Sequence, residues 1–296
     1  MTAARRMVLV LAAALLLGSS TRTDLARADA AYGQRGRADS AGRLEAGPIR
    51  AAVRGYEAAL AADPEDLESR WKLLRALYFE GDFATTEPAA KQALFERATA
   101  LADESWARVE ARVGRDLVEL PESELRARLA QSDTAADDVA ALSFWGAVSW
   151  GAWSQTHGLL DAVRRGVAER IHGLALIASR LDPGLEQGGP LRLLSRLHAK
   201  LPRVPLVSGF VDRSQAAPLA EEALRRWPEH PGNRLLLALT WLELEPARRD
   251  EALALLRQVA EITPRSSQLA EDAAVVHAAR ERLAQERDPQ PLASGG

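Results

Sequence analysis

The chain has 296 residues, a net charge of −3 and no cysteine. That rules out a disulfide framework and any thiolate metal site, and it leaves packing to hold the fold. No basic cluster stands out, so a nucleic-acid partner, which needs a cationic face for phosphate, is not expected. Alanine, leucine, arginine and glutamate dominate while β-branched residues and aromatics are sparse, a composition that favours helix over sheet.

Residues 1–20 read as a secretory signal: Arg5 and Arg6, an apolar run from Met7 to Leu17, then small residues. The run is short for a membrane span, so export with removal of the segment is expected. Cleavage after Ser20 fits the distance from the apolar run, and Ala28-Asp29-Ala30 is a second candidate lying further from it. With no cysteine to lipidate, the expected mature protein is periplasmic and not a lipoprotein. Residues 21–47 carry no apolar period and read as a flexible linker.

Gly47-Pro48 marks the start of order, and the helical repeat domain is expected over 48–287. Ile49, Val53, Tyr56 and Leu60 share one helix face, ending near Asp63-Pro64. A second helix over 66–80 carries Leu67, Trp71, Leu74 and Tyr78. A long helix from Pro88 to Val113 is expected to turn Leu94, Ala98, Leu101, Ser105 and Trp106 inward, and a short one follows over Glu122–Gln131.

The helix after Asp137 holds Trp145, Trp150 and Trp153 within nine residues. Leu142, Trp145, Ser149 and Trp153 share one stripe, and Val139, Gly146, Trp150 and His157 another, so the helix must be enclosed on several sides. It serves either as a packed central helix or as one wall of an apolar ligand cavity. Residues 158–181 continue with a stripe of Leu160, Val163, Val167, Ile171, Leu174, Ile177 and Leu181, read as one helix. The Gly188-Gly189-Pro190 corner precedes an apolar helix carrying Arg192, a cation suited to a surface salt bridge or to a carboxylate. The segment 202–213 has no helical period and reads as a loop pinned across a groove or forming part of one. Helices follow over 214–227, 233–245, 247–262 and 266–287, with a tail over 288–296.

A pattern recurs along the chain: Ala59 and Pro64, Ala178 and Pro183, Ala223 and Pro228, Val259 and Pro264 each place a small or slender residue five before a proline. The small residue lets helices cross closely, and the proline stops the helix so that the next doubles back. The last two prolines lie 36 residues apart, near the period of a tetratricopeptide repeat. The expected fold class is all-α, a tetratricopeptide-like solenoid of antiparallel helical pairs. Such folds bind partners along a concave surface.

Catalytic signatures are missing from the sequence. His157, His172, His198, His230 and His277 include no pair at metal-ligand spacing, and there is neither a phosphate-binding glycine loop nor a nucleophile elbow. No cofactor, metal or enzymatic activity is expected.

FWGAVSWGAW (144–153), LDPGLEQGGPLR (181–192), LHAKLP (197–202) and PEHPGNRLLLA (228–238) together resemble the T-component (TatT) family of tripartite ATP-independent periplasmic (TRAP) transporters. The resemblance implies a periplasmic, all-helical accessory protein that binds the transporter's solute-binding receptor and passes an apolar or amphipathic organic acid through an internal cavity. Members are described as lipid-anchored and able to form homo-oligomers, trimers among them; the missing cysteine departs from the lipid anchor. Trp145, Trp153, Gly188, Gly189, Pro190 and Arg192 match by position within these segments, and Trp150 and His157 join them as candidates for ligand or partner binding. The alternative is a general tetratricopeptide interaction scaffold in envelope assembly.

Overall fold

The computed structural model describes residues 23–39, 44–204 and 208–287. The expected signal peptide and the tail over 288–296 lie outside the described residues. The described residues are all-α with no strand; an isolated bridge joins Ala38 and Leu44. The helices fold back in pairs as the repeat predicts. The chain divides into two compact units, 1–162 and 163–296.

In the first unit the expected linker departs from the sequence reading: residues 23–33 form a helix, α1. Its Ala28 and Tyr32 are buried, and Asp29 accepts hydrogen bonds from Tyr56 Oη at 2.8 Å and Lys72 Nζ at 2.7 Å. Two apolar contacts and one shared carboxylate dock it, too few to print a helical period on an otherwise polar stretch. Next come α2 (Ala46–Ala62), α3 (Leu67–Phe83), α4 (Pro88–Val113), α5 (Glu122–Gln131) and α6 (Ala136–His157). Asp66 caps α3 by accepting from the amides of Glu68 and Ser69. Helix α3 packs on α2 and α4, and α6 packs on both α3 and α4.

One predicted face is corrected in α4. Phe95, Ala98, Thr99, Ala102, Ser105 and Val109 are buried, whereas Leu94, Leu101 and Trp106 are half-buried. Ala98 and Ser105 are buried as expected, and contact with α3 on one side and α6 on the other buries Phe95, Ala102 and Val109 in place of Leu94, Leu101 and Trp106.

The stretch expected as one helix over 158–181 is two, α7 (Leu159–Arg164) and α8 (Val167–Leu181), broken at Gly166 with φ 61°. Leu159, Leu160 and Val163 are exposed at 77%, 74% and 48%, so the buried stripe begins only at Val167. The second unit continues with α9 (Gly189–Lys200), α10 (Ala216–Arg226), α11 (Pro231–Leu244), α12 (Arg249–Ala260) and α13 (Leu269–Arg287). Each of these helices packs on the next, and α11 also touches α9 and α13. Ala220, Leu237, Ala238, Trp241, Leu256, Val259 and Ala279 form its core.

The repeat signature has a direct structural counterpart. Ala59, Ala178, Ala223 and Val259 are all essentially inaccessible. The carbonyls of the three alanines accept the last helical hydrogen bond, from Asp63, Asp182 and Trp227 at 2.9, 2.8 and 3.0 Å, and proline follows each of those residues. One residue therefore closes the crossing and ends the helix.

Candidate functional site

Trp145, Trp150 and Trp153 are 8%, 2% and 1% exposed, and both stripes of α6 are buried. The indole of Trp150 donates to Asp103 Oδ1 in α4 at 3.1 Å. Trp71 in α3 donates to Asp138 Oδ1 at 3.0 Å, tying the start of α6 to the neighbouring helix. Burial raises the Asp138 pKa above the usual carboxylate range, opposed by the bond from Trp71. Trp150 and Trp153 meet edge to face at 5.6 Å, and Trp145 lies against Phe144 and Tyr78 at 5.0 and 6.0 Å. The Trp145 indole N–H has no hydrogen-bond partner.

His157 stacks on Trp153 with ring centroids 4.0 Å apart. Its Nε2 lies 2.9 Å from Glu96 Oε1 and its Nδ1 lies 3.0 Å from the Trp153 carbonyl oxygen. It thus links the end of α6 to α4. The structure places Trp145, Trp150, Trp153 and His157 together as packed core.

Gly188, Gly189, Pro190 and Arg192 come together at the corner before α9, in the other compact unit. Glu186, Gln187 and Gly188 take positive φ values of 49°, 52° and 93° in succession. A Cβ at Gly188 would lie 2.8 Å from Trp227 Cε3, so both the conformation and the close approach call for glycine. Arg192 Nη1 donates to the Gln187 carbonyl at 2.9 Å and to Asn233 Oδ1 at 2.7 Å, and Nη2 donates to the Glu186 carbonyl at 2.8 Å. The residue is half-buried, and desolvation of its guanidinium among these partners lowers its pKa to about 10. It fastens the strained turn instead of facing a ligand carboxylate.

Asn233 is the only asparagine in the chain and is fully buried. Its Nδ2 donates to the carbonyls of Gln187, Ala223 and Trp227 at 3.2, 3.1 and 2.8 Å. Nearby, His230 Nδ1 accepts from the Gly232 amide at 3.1 Å and caps α11. Burial first, then Arg192 and Arg265, lower its pKa to about 3. Arg265 grips the buried Asp272 through two charged contacts of 2.7 and 2.8 Å and a backbone amide at 3.0 Å.

A second aromatic group lies on α8 and α9. His172 stacks on Phe210 at 4.0 Å and meets His198 edge-on at 5.9 Å, while His198 Nδ1 accepts from the Asp212 amide at 3.2 Å. Phe210 and the buried Val211 thereby pin the described part of the 202–213 loop, and it lines neither the α9–α11 cavity nor the hollow beside Arg112.

Two cavities bear on ligand binding. One, of about 60 Å³, lies between α9 and α11; the other, of about 440 Å³, is an open hollow among Arg112, Val113, Arg128, Gln131 and Ser132. None of the eight candidates from sequence borders either. Among the described residues no cluster of three or more acidic or histidine side chains is placed to hold a metal, and no helix is long and apolar enough to cross a membrane. Sequence reasoning missed the roles of Asp29 and Asn233 and the α9–α11 cavity. For Asn233, the solitary occurrence of a residue that weakens helix interiors was a usable signal. No protein-family model matches the chain, and no curated protein matches it.

Proposed function

We propose that the chain is a non-enzymatic accessory protein that works by docking a protein partner, and that the partner is the solute-binding receptor of a TRAP-type periplasmic uptake system. The observation that carries the docking role is the run of helical pairs in the second unit, where α11 touches α9 on one side and α13 on the other. Alternate helices laid side by side offer a partner a ribbed surface wider than any one helix. The choice of partner rests on the resemblance in segments 144–153, 181–192, 197–202 and 228–238. Full packing around Trp145, Trp150 and Trp153 favours docking over carriage of an acid along α6.

Purified chain immobilised at low salt is expected to retain a solute receptor from envelope extract and to bind the recombinant receptor in calorimetry. Retention of other envelope proteins without a receptor would instead favour the general scaffold. No retention at all would end both readings.

Export in this reading leaves α1 on the mature chain. Removal of residues through Ala30 would take Asp29 from Tyr56 and Lys72, both buried, whereas processing after Ser20 keeps the carboxylate that joins them. N-terminal sequencing of exported protein is expected to begin before Asp29; a first residue at Ala31 would contradict it.

A further inference from the structure

We infer that the face of α2 and α3 beneath α1 is a helix-binding groove, filled in this structure by α1 of the same chain, and that a partner helix presenting the same three side chains displaces α1. The groove lies in the first unit and does not rest on the docking role proposed above.

Three anchors define it. A Cβ on Gly55 of α2 would lie 2.7 Å from Ala28 Cβ, so the slot at this crossing admits only a small residue. Tyr56 Oη and Lys72 Nζ both donate to the Asp29 carboxylate, at 2.8 and 2.7 Å. Lys72 is also held by Glu68 of its own helix at 2.6 Å, so the ammonium keeps its place when α1 leaves. The third anchor is aromatic: the Arg75 guanidinium lies 3.9 Å from the centre of the Tyr32 ring, and Phe79 meets that ring edge-on at 6.3 Å. Helix α2 packs on α3, and α3 packs on α4 and α6, so all these groups are positioned whether or not α1 is seated.

Helix α1 is held loosely by comparison. Of residues 23–33 only Ala28 and Tyr32 are buried. Eleven residues are too few to keep a helix in water unaided, so α1 forms only while seated, and a segment that buries so little opens at small cost. Its three recognised groups are a small residue, an acid one position on and an aromatic four positions on. Those positions share one face of a helix and would be scattered on an extended strand. The partner is therefore a helix with this pattern, its carboxylate matched to Lys72 and Tyr56 and its ring to Arg75.

The test uses the chain from Thr21 onward and a fluorescent peptide of residues 23–37. The tethered α1 competes at a high effective concentration, so the peptide is expected to bind the wild-type chain weakly. Asp29→Asn in the chain loosens only its own α1, and the native peptide should bind that variant about tenfold more tightly. Tyr32→Ala in the chain should act in the same way and keeps the test open if Asp29→Asn fails to fold. A peptide carrying Ala28→Leu should bind none of the three chains, and one carrying Asp29→Asn should bind about tenfold more weakly than the native peptide. With the peptide isotopically marked so that its fragments are distinct, hydrogen exchange over residues 23–33 of the chain should quicken as the peptide saturates. No saturable binding to any chain, equal binding by the Ala28→Leu peptide, or saturation with exchange over 23–33 unchanged would each overturn the assignment. Receptor docking is measured by retention without the peptide, so it stands or falls separately.

Discussion

Asn233 donates to backbone carbonyls at three places and accepts from Arg192, so one amide joins the corner before α9, the end of α10 and the start of α11. Replacing it with alanine strands the Arg192 Nη1 bond and several carbonyls. Asn233→Ala is expected to cost about 3 kcal/mol in urea unfolding, and Asn233→Asp at least as much at neutral pH, since it removes the donors. His230, one turn before it, gives the second unit an acid sensitivity. The folded imidazole stays neutral down to about pH 3, whereas the unfolded chain takes up its proton near pH 6.5. Stability is therefore complete above about pH 6.5 and falls as the pH drops toward 3, by about 1–2 kcal/mol at pH 5 after allowance for partial exposure. His172, lowered to about 4 chiefly by burial, acts in the same direction. His230→Asn retains a capping oxygen and should flatten the decline in urea midpoint between pH 7 and 5.

Among the elements, α1 and α6 show how differently helices are recruited. Helix α6 is apolar on all sides and becomes the centre of its unit whatever else forms. Trp153→Ala should cost about 3–5 kcal/mol, and fluorescence of the α6 tryptophans should not shift on titration with apolar acids. A blue shift that saturates would show a cavity beside α6 and restore the carrier reading. Helix α1, by contrast, is attached at a few points, and its approach depends on a missing side chain. A Cβ at Gly55 would lie 2.7 Å from Ala28 Cβ and 3.3 Å from its Cα. Gly55→Ala, which ought to strengthen α2 by propensity, is expected instead to destabilise by about 1–3 kcal/mol or to release α1. Hydrogen exchange over residues 23–33 would report the release. Propensity gave the wrong sign here because the contact is tertiary.

For the whole molecule, helix content, several of the helix ends and the pairing rule were written in the residues. Proline five after Ala59, Ala178 and Ala223 fixes a stop and a crossing together, by local sterics that need no partner, and Gln131 and Val113 end their helices where the pattern ends. The enclosure of α6 was legible for the same reason, since indoles on two faces cannot both meet water. Sequence alone did not distinguish two equally spaced faces of α4, detect the docking of α1, or reveal that Arg192 spends its donors on its own turn. Those outcomes depend on which distant surface arrives: Phe95 and not Leu94 is buried because α3 and α6 both press on that side, and Arg192 is tied down because Asn233, 41 residues on, lies beside it. The notch between α9 and α11 belongs to the same class. Periodicity shows that Thr240 lies on a helix, but only packing decided that its hydroxyl would be buried with no hydrogen-bond partner.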